Sequence, residues 1–137
     1  MEIETVMNYL ANSVNLDGVR AEEIKKSLGA DITAELGHAT QLANRIKQVG
    51  GMVPGSKGVK IGDQIQPPSD STDVVAVIKA VIAAEEAAIS HYNKIIKACD
   101  GQDYVTQDLC IKLLTDEEGH YIQFRGFLKE YTGERGA

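Results

Sequence analysis

The sequence contains no tryptophan and only two cysteines, Cys99 and Cys110. Two cysteines are too few for a disulfide scaffold, so we expect reduced thiols and a cytoplasmic protein. No apolar run approaches the roughly 20 residues that cross a bilayer, and no secretory signal opens the chain. Basic residues are outnumbered by acidic ones, 14 to 20, which gives a net charge of −6. Nucleic acid or an anionic membrane as the main partner is therefore not expected, because either binds a basic surface.

Proline is also scarce, and its positions mark the organisation of the chain. All three prolines and five of the 13 glycines fall in residues 50–69, GGMVPGSKGVKIGDQIQPPS. This composition predicts a long irregular connection. A length of 137 residues suits one compact domain with a sizeable core, so we expect a single domain over residues 1–137.

Each side of this connection has the pattern of two helices, and almost no strand signal is present. The predicted helices span about residues 1–15, 19–48, 71–99 and 103–131. Apolar residues recur at roughly helical spacing along the second: Val19, Ile24, Leu28, Ile32, Leu36, Leu42 and Ile46. Gly50-Gly51 predicts its end. Ser71 or Asp70 is expected to cap the third helix and Asp103 the fourth.

These elements predict an all-α four-helix bundle. The first and second helices are joined by a short link, as are the third and fourth, which is typical of antiparallel neighbours. About twenty residues separate the second helix from the third, enough to run back along a helix of about 42 Å. We therefore expect the second and third helices to run parallel, joined by a crossover.

A repeated pattern of glutamate, tyrosine and histidine carries the chemistry. Glu35 and His38 form a Glu-x-x-His motif, and Glu117 and His120 form another. A further glutamate lies 33 residues before the first motif and 32 before the second, and a tyrosine follows each upstream glutamate by seven residues: Glu2 and Tyr9, Glu85 and Tyr92. The chain therefore has the pattern of two copies of one helical hairpin.

At about 1.5 Å per residue, the four glutamates and two histidines fall at one level of the bundle. Buried charges are costly without compensation. Two divalent ions would balance the four carboxylates, and oxygen-rich ligands with two imidazoles suit iron or manganese. The alternative is that the glutamates are exposed and the histidines are hydrogen-bonded core residues. That alternative accounts well for either motif alone, but poorly for two motifs with matched spacings.

Several neighbouring residues are assigned other positions. Glu85 shares a helical stripe with apolar residues and Glu86 with lysines, so Glu85 is the expected ligand; Glu118 and His91 are expected at the surface. Tyr9 and Tyr92 are either hydrogen-bonding or one-electron partners of the metals, or simply core residues. The cysteines are interpreted as small buried hydrophobes. Their axial separation of roughly 10 Å is too large for a disulfide.

The segments EIETVMNY, ELGHATQLANRI, AEEAAISHY and DYVTQDLCIKLLTDEEGHYIQFRGFL resemble the four helices of the ferritin-like superfamily. The resemblance is closest to bacterioferritins and to Dps-like proteins with a ferroxidase centre inside one subunit, and it covers essentially the whole chain. It implies two iron ions per subunit, or manganese in their place. Glu2 and His38 would serve one ion and Glu85 and His120 the other, with Glu35 and Glu117 bridging.

The resemblance also has departures. Leu36 stands where haem-binding bacterioferritins have the haem-ligating methionine, so no haem is expected there. Glu2 directly follows Met1, whereas the family's first helix usually starts a few turns earlier, so Glu2 is the least secure ligand. No Cys-x-x-Cys pair is present, so a rubrerythrin-type iron–sulfur domain is not expected.

The function implied by the resemblance is ferroxidase-type oxidation of Fe(II) by O₂ or H₂O₂, for iron storage or detoxification. Two alternatives stay open: a diiron peroxidase or other oxidoreductase that stores no mineral, and a non-enzymatic helical interaction module. Because VKIGDQI offers exposed backbone groups for pairing, we expect a homodimer or a larger homo-oligomer with the crossover at its interface.

Overall fold

The computed structural model describes residues 1–62 and 65–133. Asp63 and Gln64 of the predicted connection, and residues 134–137 of the predicted domain, lie outside the described residues. Within the described ranges the secondary structure is helical, without strands: α1 (Glu2–Asn15), α2 (Glu22–Gln48), α3 (Val74–Cys99) and α4 (Tyr104–Thr132), with single 3₁₀ turns at Val19–Ala21 and Ser56–Gly58. The all-α prediction is confirmed, and the predicted bounds differ from these by at most three residues.

The chain divides into two compact units that correspond to the predicted internal repeat. The first unit, Met1–Pro67, contains α1 packed on α2. Its apolar core lies towards the link between the two helices, whereas α1 and α2 bury polar side chains further along. The buried apolar residues nearest the link are Leu16, Ala21, Ile24 and Leu28, and Tyr9 and Ile65 are also buried. The apolar side chains therefore hold the hairpin together near its link, and its polar interior lies at the other end.

The second unit begins at Pro68 and contains α3 packed on α4. Its helices bury a longer apolar face: Val74, Val77, Ile78, Val81, Ile82, Ala88, Cys110, Leu113 and Phe124. Phe124 and Phe127 pack edge to face, with ring centroids 5.3 Å apart. This geometry suits the aromatic quadrupoles and fixes the far end of α4.

Side-chain caps define the starts of α3 and α4. Asp103 accepts a hydrogen bond from the Thr106 amide at 3.0 Å, so the predicted cap of α4 is confirmed. The predicted cap of α3, Ser71 or Asp70, is wrong, because Asp73 caps that helix and accepts from the Ala76 amide. The Asp70 carboxylate accepts from the hydroxyl and the amide of Thr72, bonds that hold its pKa below the ordinary value.

The inward face of α2 also differs from the prediction. Val19, Leu36 and Ile46, which the apolar spacing assigned to that face, are exposed. Besides Ser27, the buried residues of α2 step by four and three positions along the helix: Ile24, Leu28, Asp31, Glu35 and His38. Each residue of an α-helix is rotated by about 100° about the helix axis from the one before it, so Leu36 points away from the interior when Glu35 points towards it. The interior of α2 thus changes from apolar to polar along its length.

Gly50 ends α2 in the manner predicted. Its φ of +88° lies in the left-handed region that glycine adopts without strain. The Gly50 amide donates to the Lys47 carbonyl and the Gly51 amide to the Ile46 carbonyl, which is the Schellman pattern. None of the helices formed by residues 1–62 and 65–133 combines the length and apolar character that a membrane span requires.

Candidate metal centre

The first unit brings two carboxylates and one imidazole together. Glu2 is the first residue of α1, and Glu35 and His38 lie one turn apart on α2. The His38 Nδ1 atom lies 3.5 Å from a carboxylate oxygen of Glu35 and 3.8 Å from one of Glu2. One ligand atom from each residue lies within 4.8 Å of the others, and all three side chains are buried. These three residues form triad 1.

The second unit repeats this arrangement. Glu85 lies on α3, and Glu117 and His120 lie one turn apart on α4. The His120 Nδ1 atom is 3.6 Å from a carboxylate oxygen of Glu85, and one ligand atom from each of the three residues lies within 4.8 Å of the others. Both glutamates are buried, and His120 is 15% exposed. These three residues form triad 2.

The donor sets fit a divalent metal. Ligand atoms about 2.1 Å from an ion, at angles of roughly 90–120°, lie about 3.0–3.7 Å from one another. The imidazole–carboxylate separations of 3.5 and 3.6 Å fall within this range, and that of 3.8 Å lies just above it. They are longer than a normal N–H···O hydrogen bond. Two carboxylates and one imidazole in each triad are ligands suited to iron or manganese.

The side chains excluded as ligands lie at the surface. Glu86 and Glu118, each next to a triad glutamate, are exposed, and so is His91. Their positions agree with the stripe argument made from the sequence. The pairs of adjacent glutamates thus combine one buried and one exposed carboxylate on each of α3 and α4, which supplies matched controls for mutagenesis.

The two tyrosines of the repeat are fully buried. Tyr9 lies on α1 with Glu2, and Tyr92 lies on α3 with Glu85. The Tyr92 ring makes an edge contact with the His91 ring, with centroids 6.4 Å apart. Burial agrees both with a core role and with a role beside the metals. The choice between those roles therefore stays a prediction.

Asp31 is a buried carboxylate that the sequence analysis missed. It is 5% exposed and lies one turn before Glu35 on the inward face of α2. The signal that would have found it is the spacing of Ile24, Leu28 and Asp31, which continues into Glu35. Asp31 was missed because only apolar residues were used to assign the inward face of α2.

The two cysteines are free thiols in different environments. Cys110 is fully buried in α4, and Cys99 at the end of α3 is half-buried. Burial raises the pKa of the Cys110 thiol, and the neighbouring Cys99 adds to the rise. The interpretation as a small buried hydrophobe is confirmed for Cys110 and is wrong for Cys99, which reaches the surface because it lies in the last turn of its helix.

These environments predict different reactivities towards a thiol reagent. At pH 8 the Cys110 thiol stays protonated and covered, and only a thiolate attacks a disulfide reagent. We expect an aromatic disulfide reagent to release one equivalent of chromophore from the native chain and two after denaturation. The Cys99→Ser variant should release essentially none before unfolding. Rapid release of one equivalent from native Cys99→Ser protein would contradict the assignment.

The sequence of the chain is similar to those of known proteins. Residues 1–133 match the profile of the family described as the Ferritin-like domain. The chain is 26% identical over 125 residues to the bacterioferritin of Desulfovibrio desulfuricans; the match covers 90% of this chain. It spans 66% of the length of that relative.

Two solved structures show the fold. The dodecameric thioferritin of Bacteroides fragilis, a bacterioferritin-related protein, superposes with a TM-score of 0.83 at 22% identity, covering 96% of this chain and 79% of that one. The X-ray structure of the Desulfovibrio desulfuricans bacterioferritin superposes with a TM-score of 0.81 at 23% identity, covering 97% and 74%. The four-helix bundle predicted from the sequence is thereby confirmed.

Proposed function

We propose that this chain, which belongs to the ferritin-like domain family, oxidises Fe(II) with O₂ or H₂O₂ and so stores or detoxifies iron. The observation that carries the proposal is the buried triad of two carboxylates and one imidazole, repeated in both hairpins. The solved bacterioferritin of Desulfovibrio desulfuricans, described by its diiron site in different catalytic states, has the same fold and supports the proposal.

In this proposal the six residues of triads 1 and 2 together bind two iron ions. Glu2 and His38 would hold one ion and Glu85 and His120 the other, and Glu35 and Glu117 would contact both. Four carboxylates carry a charge of −4, which two divalent ions neutralise. Without the ions, packed carboxylates repel one another. The centre therefore gains stability from its metals.

Two ferrous ions bound together would become ferric and supply the two electrons that reduce H₂O₂ to water, or O₂ to H₂O₂, with two protons taken from solvent. The residues of the chain bind the ions and keep them adjacent. Each carboxylate must be deprotonated and each Nδ1 atom must be free of its proton to act as a ligand, so iron binding releases protons. Because five of the six side chains are buried, the ions would be held away from bulk water, whereas His120 offers the one partly exposed edge.

Oxidation of Fe(II) measured in solution tests this function. Protein loaded with Fe(II) without oxygen is mixed with O₂ or H₂O₂, and the appearance of Fe(III) absorbance is followed against protein-free buffer. We expect faster oxidation with protein, followed by an iron mineral that remains with the protein on gel filtration. Oxidation no faster than in buffer would contradict the proposal. Fast oxidation without retained mineral would favour the diiron peroxidase.

An exposed apolar stripe on α1 supports a further part of the proposal, assembly into a homo-oligomer. Its four residues step by four, three and four positions, and each is at least 42% exposed: Ile3, Met7, Leu10 and Val14. Such spacing forms one face of a helix, and an exposed apolar face of this kind marks an interaction surface. The Bacteroides fragilis relative is dodecameric, which favours a second copy of this chain as the occupant.

Charged residues in the stripe should therefore disrupt assembly. We expect Met7→Glu with Leu10→Glu to reduce the mass measured by light scattering at micromolar concentration, because two charges would be buried between copies. The helical circular dichroism signal should be retained, since both side chains lie on the exposed surface of α1 and not in the core of the hairpin. Ile122→Glu on α4, at an apolar residue more exposed than Met7 or Leu10, is the control. An unchanged mass in the double variant would exclude the stripe as the interface.

A further inference from the structure

Two side chains of α1 hold the connection that follows α2. We call residues 59–62 and 65–67 the strap. The Gly62 amide donates to a carboxylate oxygen of Glu4 at 2.8 Å. The Asn12 side-chain amide donates to the Ile65 carbonyl at 3.0 Å and to the Asn8 carbonyl at 2.8 Å. Asn12 is 1% exposed, so the strap is attached to α1 near both ends of the helix.

Docking of the strap places the backbone of one of its residues, Ile65, in a strained conformation. Ile65 has a φ of 44°, and it is the one non-glycine residue in the left-handed region among residues 1–62 and 65–133. A β-branched side chain disfavours this region, and such conformations persist only when their surroundings fix them. Here the Asn12 bond and the burial of the Ile65 side chain fix it. The hydrogen bond and the burial favour the docked strap, and the backbone strain opposes it. A bound ligand is able to shift this balance.

Glu4 connects this balance to triad 1. Glu2 and Glu4 lie in the first turn of α1, whose N-cap residue, Met1, makes no side-chain capping bond. The first amides of a helix lack partners within it, and uncapped ends fray. Thr5 donates to the Met1 carbonyl through its amide and its hydroxyl. The bond from Gly62 to Glu4 is a long-range tether on the same turn.

We propose that Glu4 and Asn12 are positioning residues, which dock the strap on α1 and thereby hold the first turn in the conformation that lets Glu2 bind metal. This inference rests on the proposed function, because it takes Glu2 as a ligand. Coupling between two binding equilibria is reciprocal. A metal bound through Glu2 therefore stabilises the docked strap to the same extent as the docked strap strengthens metal binding.

The test uses Zn(II), which accepts oxygen and nitrogen ligands and takes no part in redox chemistry. Amide hydrogen exchange is read by mass spectrometry on the peptide that contains the Gly62 amide, with and without Zn(II), and calorimetry measures the Zn(II) affinity. Glu4→Ala removes the acceptor for Gly62, whereas Glu4→Gln keeps an acceptor oxygen without the charge. Ser13→Ala is the matched control, because it deletes a side-chain bond of α1 that does not involve the strap.

In the parent chain we expect Zn(II) to slow exchange of the Gly62 peptide. Glu4→Ala should abolish this slowing and weaken Zn(II) binding about fivefold, the effect of losing one ordinary hydrogen bond. Glu4→Gln and Ser13→Ala should behave like the parent. Asn12→Ala should shift both readouts in the same direction as Glu4→Ala, but it also carries a stability cost because Asn12 is buried, so the Glu4 variants decide the test.

Glu2→Gln separates this inference from the proposed function. The variant should still bind Zn(II) through other ligands, but the Gly62 peptide should no longer respond to the metal. If the parent chain binds no Zn(II), the proposed function fails. If it binds Zn(II) and the Gly62 peptide does not respond, or if Glu4→Gln loses as much affinity as Glu4→Ala, the positioning role fails while the metal centre stands.

Discussion

Replacing Glu35 and Glu117 together by alanine is expected to abolish the binding of about two Fe(II) ions per chain. This is the largest effect we expect, because in the proposed centre each of the two carboxylates contacts both ions. Both side chains are buried, at 0% and 1% exposure, so solvent offers no replacement ligand in a fixed position. An anaerobic Fe(II) titration, followed by gel filtration and iron assay, measures the ions bound per chain.

The control for this double variant uses the two exposed glutamates that directly follow Glu85 and Glu117. Glu86→Ala with Glu118→Ala also removes two negative charges, but from exposed positions on α3 and α4. We expect this control to bind iron like the parent. Unchanged stoichiometry in the Glu35/Glu117 variant, or an equal loss in the Glu86/Glu118 variant, would overturn the ligand assignment.

The same pair of variants separates metal binding from folding. Metal that binds only the folded chain stabilises it, so Mn(II) or Zn(II) should raise the Tm of the parent and of the Glu86/Glu118 control. The Glu35/Glu117 variant should show no such rise. Without metal it should melt no lower than the parent, because two buried carboxylates that repel their neighbours have been removed. A lower metal-free Tm would indicate that the two glutamates stabilise the fold by themselves.

The second large effect is expected on the rate of oxidation. His120→Ala should slow Fe(II) oxidation at least about tenfold, since in the proposed centre one ion would lose its only nitrogen ligand and would no longer be held beside the other to deliver two electrons. The imidazole lies 3.6 Å from Glu85, within the range of ligands that share an ion. Stopped-flow absorbance of Fe(III), after Fe(II)-loaded protein is mixed with O₂ or H₂O₂, measures the rate.

His91→Ala is the control for this second experiment. His91 is exposed and adjacent to Tyr92, so its removal deletes an imidazole of the same chemistry without touching triad 2. We expect its oxidation rate to equal that of the parent. If His120→Ala oxidises iron as fast as the parent, the nitrogen ligand of the second ion has been assigned to the wrong residue.

The parts of the fold that could be predicted from the sequence are those set by the spacing of residues along helices and by residues that begin or end helices. The helix limits follow from prolines, glycines and caps, and Asp103 caps α4 as its position indicates. The six triad residues were proposed because two copies of one motif repeat with nearly equal spacing, a pattern independent of how each helix is rotated; their role as ligands stays a prediction. The burial of Glu85 was predicted correctly because apolar residues on α3 mark its inward face.

The parts that the sequence did not predict depend on local hydrogen bonds or on polar burial. Asp73 caps α3 because that helix begins at Val74, three residues later than predicted, while the Asp70 carboxylate bonds Thr72 instead. The inward face of α2 was misplaced because half of it is polar, so tracing apolar residues led to the exposed Leu36. The bond from Asn12 to Ile65 joins residues 53 positions apart, and no local pattern indicates it.

An anomalous-difference map from crystals of the iron-loaded chain tests the central claim most directly. The proposed centre predicts two peaks per chain, about 3.5–4 Å apart, one beside Glu2 and His38 and the other beside Glu85 and His120, with Glu35 and Glu117 contacting both. A single peak, or iron bound only at exposed carboxylates while the six buried side chains contact none, would contradict the account.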